Sequence, residues 1–320
     1  MADTSVVTLA DALRRLRSTS RRKRIIAVAL AALLVVLLLP TTRHAIERTL
    51  HIRTTPTGSA CNQGSGGASV TRNTMAIQST PDGDGYWLMR DDGGIFPYGD
   101  ATGYGSAAGP IQTITTGLAS TPSGHGYWLV ERRGMVWAFG DAGCYGGTYD
   151  TGATDIVGIQ PTLSGQGYWL LEQNGGIWPY GDAVYHTPSG GSLGGHQPPL
   201  TDIVSMARTP SGNGYWIVEA NGGVWPFGDA CGCGSEGGQQ LNAPITTVIT
   251  PPGSGQGYFL VAKDGGVFPF GTASGYLGSW AGRIPGNDVV GSAVTLVGHG
   301  MWFARGMGQV VGLGDAGSYQ

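Results

Sequence analysis

Five aspartates occupy one place in a recurring pattern: Asp100, Asp141, Asp182, Asp229 and Asp315 each follow a glycine that ends a short apolar run. Carboxylates repeated at one position could ring an axis and hold a cation. They could equally accept backbone amides in their own tight turns, as Asx-turn residues do. The matching position in one further copy is Thr272, which suits a turn bond and makes a poor cation ligand. We therefore read the five as turn residues. A Gly-x-Ser-x-Gly string, Gly190-Gly191-Ser192-Leu193-Gly194, matches a nucleophile elbow in letters only. That elbow needs a strand before it and a helix after it, whereas this one sits in a glycine-rich loop. His186 and His196 flank it, and the loop is the longest insertion in the pattern, so both are binding candidates.

Aromatic side chains recur in two columns, Trp87, Trp128, Trp169 and Trp216, then Phe96, Trp137, Trp178, Trp225 and Phe268. Most belong to a core between repeats. Any left at a groove could stack on sugar rings, which makes Trp137, Trp178 and Trp225 the candidate glycan contacts. Cys61, Cys144, Cys231 and Cys233 form an even set suited to disulfides in an oxidising compartment. Cys231 and Cys233 are close for an unstrained bridge, which favours each pairing elsewhere; the connectivity stays open. Too few ligands stand near these cysteines for zinc, so neither a metal nor another cofactor is expected.

The elements that carry these residues are repeats. A Gly-Tyr-Trp or close variant recurs at Tyr86, Tyr127, Tyr168, Tyr215, Tyr258 and Met301, at intervals of 41, 41, 47, 43 and 43 residues. Each copy opens with an alternating apolar run and a Thr-Pro-Ser-Gly-type turn, where proline presets one dihedral and glycine supplies positive φ. A Tyr-Trp-Leu-Val-like strand follows, then an Asn/Asp-Gly-Gly hairpin turn, then an aromatic strand such as Val224-Trp225-Pro226-Phe227. Proline inside that strand lacks an amide donor, so its partner on that side must be absent or bulged. A weak fourth strand is expected near Tyr104-Gly105-Ser106. Such a unit cannot bury its apolar face alone; stacking the units around an axis hides both faces. Residues 74–320 are thus read as a six-bladed all-β propeller, with a β-solenoid or prism as the alternative. The last copy stops where its fourth strand should begin, so a strand within 57–73 is expected to close the ring.

The repeat region resembles a module of secreted and cell-surface actinobacterial proteins, with the pattern GYWLV, DGGIF-x-FGDA and an aromatic before Gly-Ser. Gly214-Tyr215-Trp216-Ile217-Val218 with Gly222-Gly223-Val224-Trp225-Pro226-Phe227-Gly228-Asp229-Ala230 carries the likeness. Thr272 in place of aspartate and a degenerate final copy, 309–315, are the departures. The resemblance implies surface display but little about activity, because such modules often accompany cell-wall enzymes without carrying catalysis.

Composition and charge bound the remainder. Glycine contributes 58 of 320 residues and charged side chains only 12%, about half the usual share. Residues 1–24 form a basic tail, and residues 25–42 a short apolar segment read as a signal-anchor. Seven basic residues before it orient the chain with the N-terminus in the cytoplasm and the repeats outside. Cleavage as a signal peptide, giving a secreted product, is the alternative. Residues 43–73 are linker and closing strand. Past residue 50 the formal charge is −9, which repels phosphate backbones and excludes nucleic acid as a partner. The functional expectation is a membrane-anchored binding or scaffold protein of the cell envelope, recognising glycan or a protein partner. The alternative is a hydrolase with its site at the propeller axis.

Overall fold

The computed structural model describes residues 61–62, 73–108, 111, 113–149, 151–186, 192–194, 200–273, 278–284, 286–296, 299–317 and 319. The expected signal-anchor and His196 lie outside them. Among the described residues no helix is long and apolar enough to cross a membrane. All regular structure there is β, in six antiparallel sheets of three strands that match the six repeats. After β1 (Cys61–Asn62), repeat 1 comprises β2 (Thr74–Ser79), β3 (Gly85–Arg90) and β4 (Ile95–Gly99). Repeat 2 comprises β5 (Thr115–Ser120), β6 (Gly126–Glu131) and β7 (Val136–Gly140). Repeat 3 holds β8 (Ile156–Pro161), β9 (Gly167–Glu172) and β10 (Ile177–Gly181), and repeat 4 holds β11 (Ile203–Arg208), β12 (Gly214–Glu219) and β13 (Val224–Gly228). Repeat 5 holds β14 (Ile245–Ile249), β15 (Gly257–Ala262) and β16 (Val267–Gly271), and repeat 6 holds β17 (Val289–Val294), β18 (Gly300–Arg305) and β19 (Val310–Gly314).

The sheets pack face to face in chain order, and the last packs on the first. Trp87 and Met89 of repeat 1 share a cluster with Leu118, Tyr127 and Trp137 of repeat 2. Trp302 and Ala304 of repeat 6 share one with Ile77, Tyr86 and Leu88 of repeat 1. The Thr74 amide donates to the Gly306 carbonyl at 2.8 Å across the same join. The turns interlock too. A Cβ on Gly124 would lie 2.7 Å from the Pro81 ring, one on Gly165 2.7 Å from Pro122, and one on Gly83 would overlap the Leu296 backbone. Repeats 1 and 6 thus contact each other as neighbours do, and the arrangement is a propeller-like ring. A solenoid built from the same units would leave its end faces apart.

Two expectations about strands need correction. Among the described residues no fourth strand forms near Tyr104, which instead reaches into the next repeat, donating its hydroxyl to the Gly124 carbonyl at 3.1 Å while its amide donates to the Tyr127 hydroxyl at 3.0 Å; β1 alone adds a fourth strand, to the sheet of repeat 2. Gly105, at φ +137° and tight against Phe139, bends this segment out of any ladder. Within 57–73 the described strand, β1, does not join the last repeat. Residues 61–62 pair in parallel with β7 of repeat 2, Cys61 opposite Val136 and Asn62 opposite Trp137. Pro97, Pro179, Pro226 and Pro269 stand in β4, β10, β13 and β16 and leave those edges short of a donor, whereas β7 has Ala138 and β19 has Gly312, so proline rules out four edges and does not decide between these two.

Candidate functional site

The five aspartates join two turns of one repeat, and their partners are hydroxyls rather than the backbone amides expected. Thr80, Thr121, Thr162, Thr209 and Thr295 donate to Asp100, Asp141, Asp182, Asp229 and Asp315 at 3.1, 2.9, 2.8, 2.8 and 2.9 Å. In repeats 2, 3 and 4 a serine adds a second bond: Ser123, Ser164 and Ser211 each approach the other carboxylate oxygen at 2.5 Å. These charge-assisted bonds fasten the first hairpin turn to the end of the third strand. Repeat 5 lost the device as a unit: its turn is longer, and the Thr272 hydroxyl donates to the Ser254 carbonyl instead. Repeat 1 places Asp82 where the serines stand. Burial, then the neighbouring Asp82 carboxyl, pushes Asp100 above its ordinary range, while the Thr80 hydroxyl holds Asp82 below its own.

The candidate sugar-stacking tryptophans are occupied internally. Trp137 is 2% exposed and Trp178 6%, with Trp225 partly buried, so two of the three present no face to solvent. Trp137 Nε1 donates to Glu131 at 2.9 Å and Trp225 Nε1 to Glu219 at 2.7 Å. Glu131 and Glu219 are themselves buried, as is Glu172 beside the same strand position in repeat 3. A signal for these pairs was present in the sequence. Glutamate ends the second strand only in the repeats whose third strand carries tryptophan; where Arg90 stands instead, it lies over Phe96 at 4.0 Å.

His186 takes the place that Tyr104, Tyr145 and Tyr319 hold elsewhere. It packs between Trp169 and Tyr215, ring centroids 5.6 and 5.3 Å away, and burial lowers its pKa. Ser192 is likewise structural: its Oγ accepts from the amides of Ile177 at 3.1 Å and Gly194 at 3.2 Å. Cys231 and Cys233 are bonded to each other with Cα atoms 5.1 Å apart, inside the bridging range. This corrects the expectation that each pairs elsewhere. Cys144 is also disulfide-bonded.

One recess remains. An axial channel of about 520 Å³ is lined by the first strand of all six repeats. In every repeat the pairing of that strand with the second carries a register shift near its start. The residues that follow are small or short: Ala76, Gly117, Gly158, Ser205, Thr247 and Gly291. A Cβ on Gly117 would come within 3.0 Å of the Ile159 amide, so neighbouring first strands approach closely there. Hydroxyls and amides such as Ser79, Ser120, Gln160 and Thr250 line the wall, and Arg208 is the single ionisable side chain among the lining residues. Its Nη1 is 3.5 Å from the Thr209 carbonyl, and its buried Nε has no partner among the described residues. Burial pushes the guanidinium pKa below its ordinary value. Among the described residues no carboxylate lines the channel. Among the described residues, no three of His, Cys, Asp and Glu converge on a point where a metal could sit.

The chain matches no protein-family model and no curated protein.

Proposed function

We propose that the chain is a membrane-anchored, extracytoplasmic binding or scaffold module of the cell envelope, built on a six-bladed β-propeller. The basic tail and apolar segment at 1–42 support the anchoring and the sidedness, and the likeness to actinobacterial surface modules supports the setting. One observation carries the reading. The side chains able to do chemistry are tied into the fold, carboxylates to threonines and tryptophans and the serine to amides, while the ring keeps an open axial recess. That is the arrangement of a display scaffold with a recognition mouth. With Trp137 and Trp178 covered, recognition falls to the mouth rather than to an aromatic platform.

The test uses full-length protein in detergent, sedimented with a purified envelope fraction before and after protease treatment of that fraction. Retention above an albumin control is expected. Retention that survives protease identifies a glycan target, and retention that protease abolishes identifies a protein partner. No retention in either case sinks the proposal.

A further inference from the structure

We infer that the mouth of the axial channel is a carboxylate-binding site with Arg208 as its anchor. This deepens the binding reading above and rests on it for its biological setting, though not for its chemistry. Equivalent residues stand at the ends of the six first strands: Ser79, Ser120, Pro161, Arg208 and Val294 as the last strand residue, and Thr250 directly after β14. Five are uncharged and one is arginine, so the ring carries a single cation.

That cation is incompletely paired within the protein. A guanidinium removed from water needs acceptors for its donors, and a buried donor left without one is costly. Here the Nε is buried and without a partner among the described residues, Nη1 has only a long contact with Thr209, and no acid lines the recess. Among the described residues nothing supplies that acceptor, which leaves the fork open to one from a ligand. An arginine fork presents Nε and an Nη side by side, which matches the two oxygens of one carboxylate. A phosphate dianion would call for a second cation or a cradle of amides, and the lining offers neither among the described residues.

The surroundings define the rest of the ligand. Pro81, Pro122, Leu163 and Leu296 belong to the turns at this end of the channel and line the recess, with Leu163 45% and Leu296 50% exposed. The cavity volume lies within the range of small-molecule pockets. The fitting ligand has one carboxylate, directed down to Arg208, and a compact apolar body resting on the proline and leucine collar. A free small acid and the C-terminal residue of a peptide share that chemistry.

The experiment is titration calorimetry on the full-length protein in detergent micelles. The probes are N-acetylalanine and its amide, then an N-acetylated alanine tripeptide with a free or an amidated end. We expect saturable binding of the acids at one per chain and binding of the amides weaker by about tenfold or more. R208Q should bring the acids down to the amide level, and R208K should fall between. Acids that bind no better than amides, or no saturable binding up to about 10 mM, overturn the proposal on wild-type protein alone, whether or not R208Q folds. Binding by N-acetylalanine alone points to a free acid as the natural source, and tighter binding by the tripeptide points to a chain end. Failure to sediment with envelope would leave acid binding intact, so the two proposals fail separately.

Discussion

Glu131 offers the sharpest test of how the ring is held together. Its side chain is 0% exposed. Oε1 accepts from Trp137 Nε1 at 2.9 Å, and Oε2 accepts from both the amide and the hydroxyl of Thr113 at 2.9 and 3.0 Å. Glu131→Ala removes both acceptor oxygens and their three bonds, leaving a buried indole N–H and the part-buried Thr113 N–H without them, a loss of about 3–5 kcal/mol. Glu131→Gln keeps an acceptor for Trp137 but turns an amide NH₂ toward the Thr113 N–H, two donors facing each other. Flipping the amide moves the clash to the indole. The expected cost is about 1.5–3 kcal/mol, against near neutrality for an isosteric swap in solvent. For a domain of this size these losses lower the melting temperature by about 3–12 °C for Gln and more for Ala. Urea unfolding of full-length protein in detergent would measure both, with Trp137→Phe completing a double-mutant cycle. Coupling of at least about 0.5 kcal/mol between Glu131 and Trp137 is expected. A Gln variant within about 0.5 kcal/mol of wild type would refute the argument that buried glutamates fix the third-strand tryptophans.

Two further perturbations follow from the same bonds. Gly83 sits at φ +75° beneath Leu296 at the join of repeats 6 and 1, so Gly83→Ala should cost more than about 1 kcal/mol by thermal melting. A silent substitution would deny close contact at the join. Asp82→Ser should rebuild the serine–aspartate bond of repeats 2, 3 and 4 and stabilise by about 0.5–1.5 kcal/mol at neutral pH. Because Asp100 is raised, the wild-type pair is relieved below the ordinary carboxylate range and penalised as pH rises through the raised value. The gain should therefore grow from acid to neutral pH in melts of both proteins, and a gain largest in acid would reverse the assignment.

The repeat order, the strand positions and the turns are legible in the sequence because each rests on local chemistry: proline and glycine at fixed offsets, and Tyr-Trp between them. What was not legible depends on which repeat lies beside which. β1 takes one of two third strands free of proline, β7 and β19, and only the packed chain puts residues 61–62 beside β7. Trp137 and Trp225, read as sugar contacts, are held by glutamates one strand away that accept their N–H groups. The aspartates kept their structural role, but their partners come from a turn about twenty residues earlier, beyond the reach of an Asx-turn argument. Arg208 looks like an ordinary strand end until six first strands are drawn around one axis. Only then does it stand out as a lone charge in an uncharged ring.

The central functional claim is that residues 74–320 are displayed outside the membrane on an uncleaved anchor. Protease treatment of intact cells producing the full chain tests it most directly, read by mass spectrometry of peptides from the repeats and from residues 1–24. The account predicts that repeat peptides are released or destroyed while residues 1–24 and a cytosolic marker survive until lysis. Repeats that stay protected in intact cells would contradict it.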